Sequence, residues 1–287
     1  MTTLTTTPVS TGGHARRTSP TGSVTFPRVV HAEWIKFRSV RATPWTLGMT
    51  VLSMVGIAVL AAWGTSSLAE DPGTMSALDT VQILTAGWFI AEITVVVLAV
   101  LSVSGEYSTG MIRSSMTAVP RRVPVILAKA LVVAIASALT TVLALALAWL
   151  AVQPWAGSLG LSLDLGDPDV LRVLLGTPLV LATVALLALA VGALLRSPAA
   201  ALATVLGVLL VVENVLSLLP FVVVQRIAVF MPSSAGTRLL QTPETLAFLN
   251  ENPDTPDLSA WQGYGVLAIW VVLLLGLALT LLRRRDV

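Results

Sequence analysis

The sequence predicts an all-α integral membrane protein: six transmembrane helices, an N-terminal interfacial helix and a short re-entrant or interfacial element between the last two spans. Three observations carry this. Of the 287 residues 55% are hydrophobic and only 11% charged, whereas soluble domains carry about 25% charged residues. Uncharged stretches of about twenty residues recur, the length that crosses a hydrocarbon core. Lys and Arg crowd onto alternate connections. An Ala/Leu/Val-rich soluble helical protein would still place charges at every turn of its outer faces.

Residues 1–27, "MTTLTTTPVSTGGHARRTSPTGSVTFP", are rich in Thr, Ser, Gly and Pro. They lack the apolar block of a signal peptide and read as a disordered cytoplasmic tail, leaving 28–287 as the six-helix domain. Next comes "RVVHAEWIKFRSVRATPW", in which Val30, Trp34 and Phe37 recur at helical spacing among Lys36, Arg38 and Arg41. That is the pattern of a helix lying in the headgroup layer, with Trp34, Lys36, Phe37 and Arg38 as its anchors. A plain basic flank would explain the charges but not the aromatic spacing.

The spans fall near Trp45–Trp63, Val81–Val103, Val125–Val152, Val173–Leu195, Ala199–Leu219 and Tyr264–Leu282, each long enough at about 1.5 Å per residue. Lys129 lies inside the third, which is expected to begin in the interface with this side chain snorkelling. Only "RSP", Arg196–Pro198, separates the fourth and fifth, so they form a tight helical hairpin with Pro198 in the first turn of the second helix. The segment "PFVVVQRIAVFM" from Pro220 is too short to span and too apolar to be a free loop, and reads as re-entrant or interface-lying. The acidic, Pro-containing stretch Gln241–Trp261 reads as a solvated external loop.

Orientation follows from the basic residues. Of 17 Lys and Arg, only Arg172, Arg226 and Arg238 fall on one side, together with most of the acids. Both termini and the connection after the second span are therefore expected in the cytoplasm.

The chemistry classes are narrowed by what is missing. No cysteine occurs, and the two histidines both precede the first span, so neither thiolate chemistry nor a His-based site inside the membrane is available. There is no "GxxxxGK[ST]" phosphate loop, "HExxH" or "GxSxG". Inside the spans, Glu92 and the Glu213–Asn214 pair are the polar residues that need an account. An acid at the centre of a span costs roughly 2.5–3.5 kcal/mol and must face protein or water. Glu92 reads either as a hydrogen-bonded helix joiner or as a group on an ion or substrate path, and Glu213 as a packing or gate-locking residue.

The stretch "SGEYSTGMIRSSMTAVPRR" interrupts the apolar chain after the second span. Ser104 is placed to N-cap a short cytoplasmic helix with Glu106 in its first turn, where an acid suits the dipole. Gly105 and Gly110 permit a sharp change of direction, and Pro120 and Pro124 bracket the arginines. This segment resembles the first cytoplasmic loop of ABC transporter permeases of the type-two exporter class, especially actinobacterial ones, which carry "GEYSTGxIR" followed by "PRR". "EWIKFRSVRATPWT", "VVENVLSLLP" and "MPSSAG" are similar to further segments of that family, and the resemblance spans about Glu33 to Leu282.

The resemblance implies a permease half that pairs with a second copy or a paralogue. A separate ABC ATPase subunit would drive it, so ATP and Mg are expected in that partner, no cofactor in this chain, and no enzyme activity of its own. Gly105, Glu106, Tyr107, Thr109, Gly110 and Arg113 would belong to the ATPase contact. The bacterial cell membrane would be its location, and no nucleic-acid partner is implied. Two other readings stay compatible with the residues: a stand-alone proton-coupled transporter using Glu92, and a non-transporting membrane anchor or sensor.

Overall fold

The computed structural model describes residues 25–68, 75–108 and 122–284. Residues 1–24, which make up nearly all of the expected tail, lie outside them, as do Thr109, Gly110 and Arg113. Among the described residues six helices are long and apolar enough to cross a membrane, and they match the six expected spans.

Helix α1 (Phe26–Ser39) begins at a Pro-containing first turn. Val29, Glu33 and Phe37 recur every fourth residue and are its buried face, while Trp34 and Ile35 are exposed. Helix α2 (Ala42–Leu68) buries one narrow stripe, Thr43, Thr50, Met54, Ala58 and Ala62, and exposes Trp45, Met49, Leu52, Leu60 and Trp63 elsewhere. Small residues on that stripe let a neighbouring backbone approach closely, which is how helices associate where lipid is as apolar as the side chains.

The second span is not one helix. It divides into α3 (Ala77–Thr85), opened by a capping box between Ser76 and Asp79, and α4 (Trp88–Ser108), with a break at Ala86–Gly87. Gly87 lies directly on the α2 backbone: a Cβ there would stand 2.5 Å from Met54 Cα and 2.7 Å from the Ser53 carbonyl oxygen. The Thr50 and Thr94 hydroxyls bond across the same interface at 2.7 Å.

Helix α5 (Arg122–Val152) is the longest, and α6 (Pro168–Leu195) is the hub of the bundle. Of its most apolar stretch 78% is buried, against 22% in the first, fifth and sixth spans. The fifth and sixth spans meet α6 on one side, the first packs against α4 and α5, and all three present large apolar side chains outward, as lipid-facing helices must. The hairpin expected at "RSP" is present. Arg196 ends α6 in the left-handed region (φ 54°), Ser197 caps α7 (Pro198–Leu206), and Pro198 takes its first position.

The fifth span then widens into a π-helical stretch, Gly207–Val212, before α8 (Glu213–Leu218). After it come α9 (Val222–Val229), α10 (Pro232–Gly236) and α11 (Pro243–Leu249), and the chain closes with α12 (Ala260–Arg284). The apolar segment after Pro220 thus divides in two. Its α9 half exposes Phe221, Val223 and Ile227, whereas Met231–Leu240 turns inward and buries Pro232, Ser233, Ala235, Leu239 and Leu240. The acidic remainder is not wholly loop, since Thr242 caps α11 and Leu246 packs on the core.

The three basic residues of the acidic side are structural. Arg172 donates to the Leu239 and Gln241 carbonyls at 2.8 and 2.9 Å and pairs with Asp169. Arg226 donates to the Asp254 carbonyl, and Arg238 to Asn250 Oδ1 and the Leu258 carbonyl. Arg172 and Arg238 satisfy carbonyls of irregular backbone that the fold would otherwise bury unpaired, and Arg226 makes its bond at the surface. Burial draws the Arg238 pKa below its ordinary value, and nearby Asp257 opposes the shift.

Candidate functional site

Glu92 and Glu213 belong to spans far apart in sequence, yet they converge on one turn of the inward-folded segment. Helix α10 begins with Pro232, which has no N–H, so the first backbone donors without an intrahelical partner are those of Ser233 and Ser234. A single carboxylate from another helix takes both. Ser233 N donates to Glu213 Oε1 at 3.0 Å, and Ser234 N and Oγ donate to Glu213 Oε2 at 2.6 and 2.7 Å. The Ser233 hydroxyl donates to Glu92 Oε1 at 3.1 Å. Ser233 therefore links both acids, and all three residues are buried.

Local structure on both sides makes this possible. The π-helical stretch ends at Glu213, whose N–H returns five residues to the Val208 carbonyl. An extra residue per turn changes which face follows, and such stretches recur at functional positions. Val211 and Val212 face outward and Glu213 faces inward, 3% exposed. Asn214 is not part of the cluster. It is exposed, and its amide donates to the Leu210 carbonyl of its own helix. On the opposite side, the break at Gly87 precedes Glu92 by five residues, and Glu92 stands midway along the span Ala77–Gly105. The Met231–Leu240 segment turns inward to meet it.

The chemistry of this arrangement is that of a latch. Glu213 has both oxygens occupied by donors, and a carboxylate at a helix start is favoured by the dipole as well as by the bonds. Glu92 Oε2 is buried with no hydrogen-bond partner among the described residues. No group of three His, Cys, Asp or Glu able to hold a metal occurs among them.

A second cluster forms at the opposite end. Glu33 is 3% exposed and pairs with Lys36 at 2.6 Å and with Lys129 of α5 at 2.7 Å. Lys129 therefore does not snorkel as expected; its ammonium is held inside the protein because Glu33 offers a carboxylate at hydrogen-bond distance. Trp34 stacks on Phe37 with ring centroids 6.0 Å apart, Phe37 is buried against the bundle, and Arg38 is exposed. Glu33 escaped the sequence reading, although its four-residue spacing from Val29 and Phe37 places it on the buried stripe.

The expected N-cap at Ser104 is also corrected. Helix α4 continues to Ser108, Ser104 is fully buried within it, and its hydroxyl donates to the Val100 carbonyl at 2.6 Å. The backbone of Gly105, Glu106 and Tyr107 forms the last turn of α4 and not the first turn of a new helix. A hydroxyl bonded back to its own i−4 carbonyl leaves no reason for the helix to stop there.

A family model described as "ABC-2 family transporter protein" matches residues 30–287. The chain belongs to the ABC-2 transporter family. The match begins within α1 and runs through the last span, so this ABC-2 permease carries both clusters inside the family's extent. Comparison with curated proteins gave no match. As a member of this family the chain is a multi-pass membrane protein and the permease component of an ABC transporter.

The latch makes an immediate prediction for the permease. Glu92→Gln keeps a carbonyl oxygen for the Ser233 hydroxyl and is expected to unfold at nearly the parent temperature. Glu92→Leu leaves that hydroxyl buried and unpaired, at a cost of about 1–3 kcal/mol, and is expected to unfold earlier in detergent. Equal losses in both variants would mean that the carboxylate itself, and not its acceptor oxygen, is required.

Proposed function

We propose that this permease is the membrane half of an ATP-driven exporter that works as a pair, with a second copy or a paralogue, and is powered by a separate ABC ATPase subunit. The observation that carries this is the family match over residues 30–287, joined to a sequence without a phosphate loop of its own. Such a chain needs a nucleotide-binding partner.

Coupling is assigned to the last turn of α4, with Gly105, Glu106 and Tyr107, and to the segment that follows, with Thr109, Gly110 and Arg113. That segment joins α4 to α5 on the side of the bundle that also holds α1 and the Arg196 hairpin, where the basic residues concentrate. In a bacterial cell membrane that side faces the cytoplasm, where the ATPase works. On the far face, Glu92 and Glu213 hold the inward-folded Met231–Leu240 segment against the bundle and act as the external lock of the pathway.

Two measurements test the reading. Tagged permease is expected to co-purify an ABC ATPase from its own membrane. Glu106→Arg and Arg113→Glu should each weaken that association about tenfold, or about 1.4 kcal/mol, with insertion unchanged; an exposed ion pair alone would give less. Undiminished association in both variants would remove the coupling assignment. For orientation, a reporter after Arg285 should read cytoplasmic and one between Asn252 and Pro253 external, and the opposite pattern would invert the map.

A further inference from the structure

A cavity of about 200 Å³ lies between α1, the start of α2, the end of α4 and the start of α5. Its walls change character in one direction. Along α4 the lining passes from Leu98 and Leu101 through Ser102 to Gly105, close to the helix end. Along α5 it passes from Val133 and Val132 to Lys129, close to the helix start. At about 1.5 Å per residue the α4 wall covers about 10 Å of depth. Both helices thus turn polar at the same level, and α1 closes that level with Glu33 and Lys36.

The level is that of the membrane boundary. Helix α1 exposes Trp34 and Ile35 beside the buried Phe37, and an amphipathic helix with an exposed Trp lies at headgroup depth. Among the described residues the charged groups that line the cavity are one carboxylate and two ammonium groups. Glu33 sits between Lys36 and Lys129, and the Lys36 side chain is the most open of the three at 29%. An apolar shaft with cationic groups at its mouth, at headgroup depth, complements a chain-bearing anion.

We propose that this cavity binds one acyl chain of an anionic phospholipid from the leaflet in which α1 lies, with the phosphate beside Lys36. The assignment holds whichever way that leaflet faces, so it stands apart from the orientation and ATPase partner proposed above. The acyl chain occupies the Leu98–Val133 end and removes that surface from contact with the headgroup layer. The phosphate lies beside Lys36, the most open member of the Lys36–Glu33–Lys129 cluster, which draws the lipid to this mouth and not to the bare apolar faces of α2 or α12.

The full-length permease, delipidated in detergent, is titrated with phosphatidylglycerol, phosphatidylcholine or glycerol 1-phosphate and followed by native mass spectrometry. One phosphatidylglycerol per chain is expected to be retained with at least tenfold preference over phosphatidylcholine. Lys36→Gln should reduce that preference to threefold or less. Ser102→Trp, which fills the shaft, should abolish retention while leaving the elution volume unchanged. In case that variant misfolds, the parent chain is also labelled with phosphatidylglycerol carrying a photoreactive acyl chain, which should mark Leu101, Val132 or Val133 ahead of Leu143 and Leu273 on the open faces. Equal retention of the two lipids, or labelling no denser in the shaft than on those faces, would overturn the proposal. Displacement of bound lipid by glycerol 1-phosphate would overturn the acyl part by showing a site for the phosphate alone.

Discussion

Glu213→Ala is expected to be among the most damaging single substitutions in this permease outside the helix-packing glycines. The carboxylate accepts the Ser233 and Ser234 N–H groups and the Ser234 hydroxyl, all at the start of α10. Pro232 contributes no donor, so nothing within α10 can replace it. Alanine would leave the buried Ser233 N–H without a partner and the Ser234 groups short of one, and each unmet donor costs about 1–3 kcal/mol. A loss of about 3 kcal/mol is expected, seen as a lower unfolding midpoint in detergent, together with protease access to the Met231–Leu240 segment. Glu213→Gln retains one acceptor oxygen and should fall between parent and alanine. A parent-like midpoint and parent-like proteolysis for Glu213→Ala would show that α10 is held by its apolar contacts alone.

Gly87→Val should cost as much or more. The backbone at this break lies on the backbone of α2, with the site of a Cβ only 2.5 Å from Met54 Cα. Such a clash is with main chain and not with the end of a flexible side chain, so α2 and α4 must separate. The Thr50–Thr94 hydroxyl bond and the packing of Met54 and Ala58 go with that separation. Overpacking of this kind costs about 1–3 kcal/mol, occasionally more, and here it also displaces Glu92 five residues on. Gly87→Ala should act in the same direction with smaller effect. The check is the unfolding midpoint together with a disulfide placed between α2 and α4 through Thr50→Cys and Thr94→Cys, two positions whose hydroxyls touch in the parent; its yield should fall if the helices part. Parent-like values in Gly87→Val would mean that the break can reseat elsewhere in the Ala86–Trp88 stretch.

The two clusters also divide the labour between the ends of the bundle. At one end a carboxylate replaces missing intrahelical bonds; at the other, Glu33 ties the boundary helix α1 to the long span α5. Breaking a buried pair by removing one partner is destabilising because the other charge stays buried. That gives α1 a fixed seat on the bundle, beside the cavity to which we assign a lipid chain.

What the sequence determined by itself is the part governed by single-chain physics. A hydrocarbon layer demands about twenty apolar residues per helix and internal satisfaction of every backbone bond, so six spans, the α1 helix and the Arg196–Pro198 hairpin were all legible before any contact was known. That the mostly apolar run after Pro220 can neither span nor float was legible for the same reason, but not that the chain turns inward only from Met231. What only the tertiary structure decided is which faces meet. Glu92 and Ser233 are 141 positions apart, and no period in the sequence records that two helix rotations and a π-helical stretch bring Glu92 and Glu213 to the same serine. The pairing of Glu33 with Lys129, the break at Gly87 and the continuation of α4 past Ser104 belong to the same class. The first two depend on the approach of a second helix and the third on a hydroxyl bonded back within its own helix, whereas hydropathy reports only how a helix stands toward lipid.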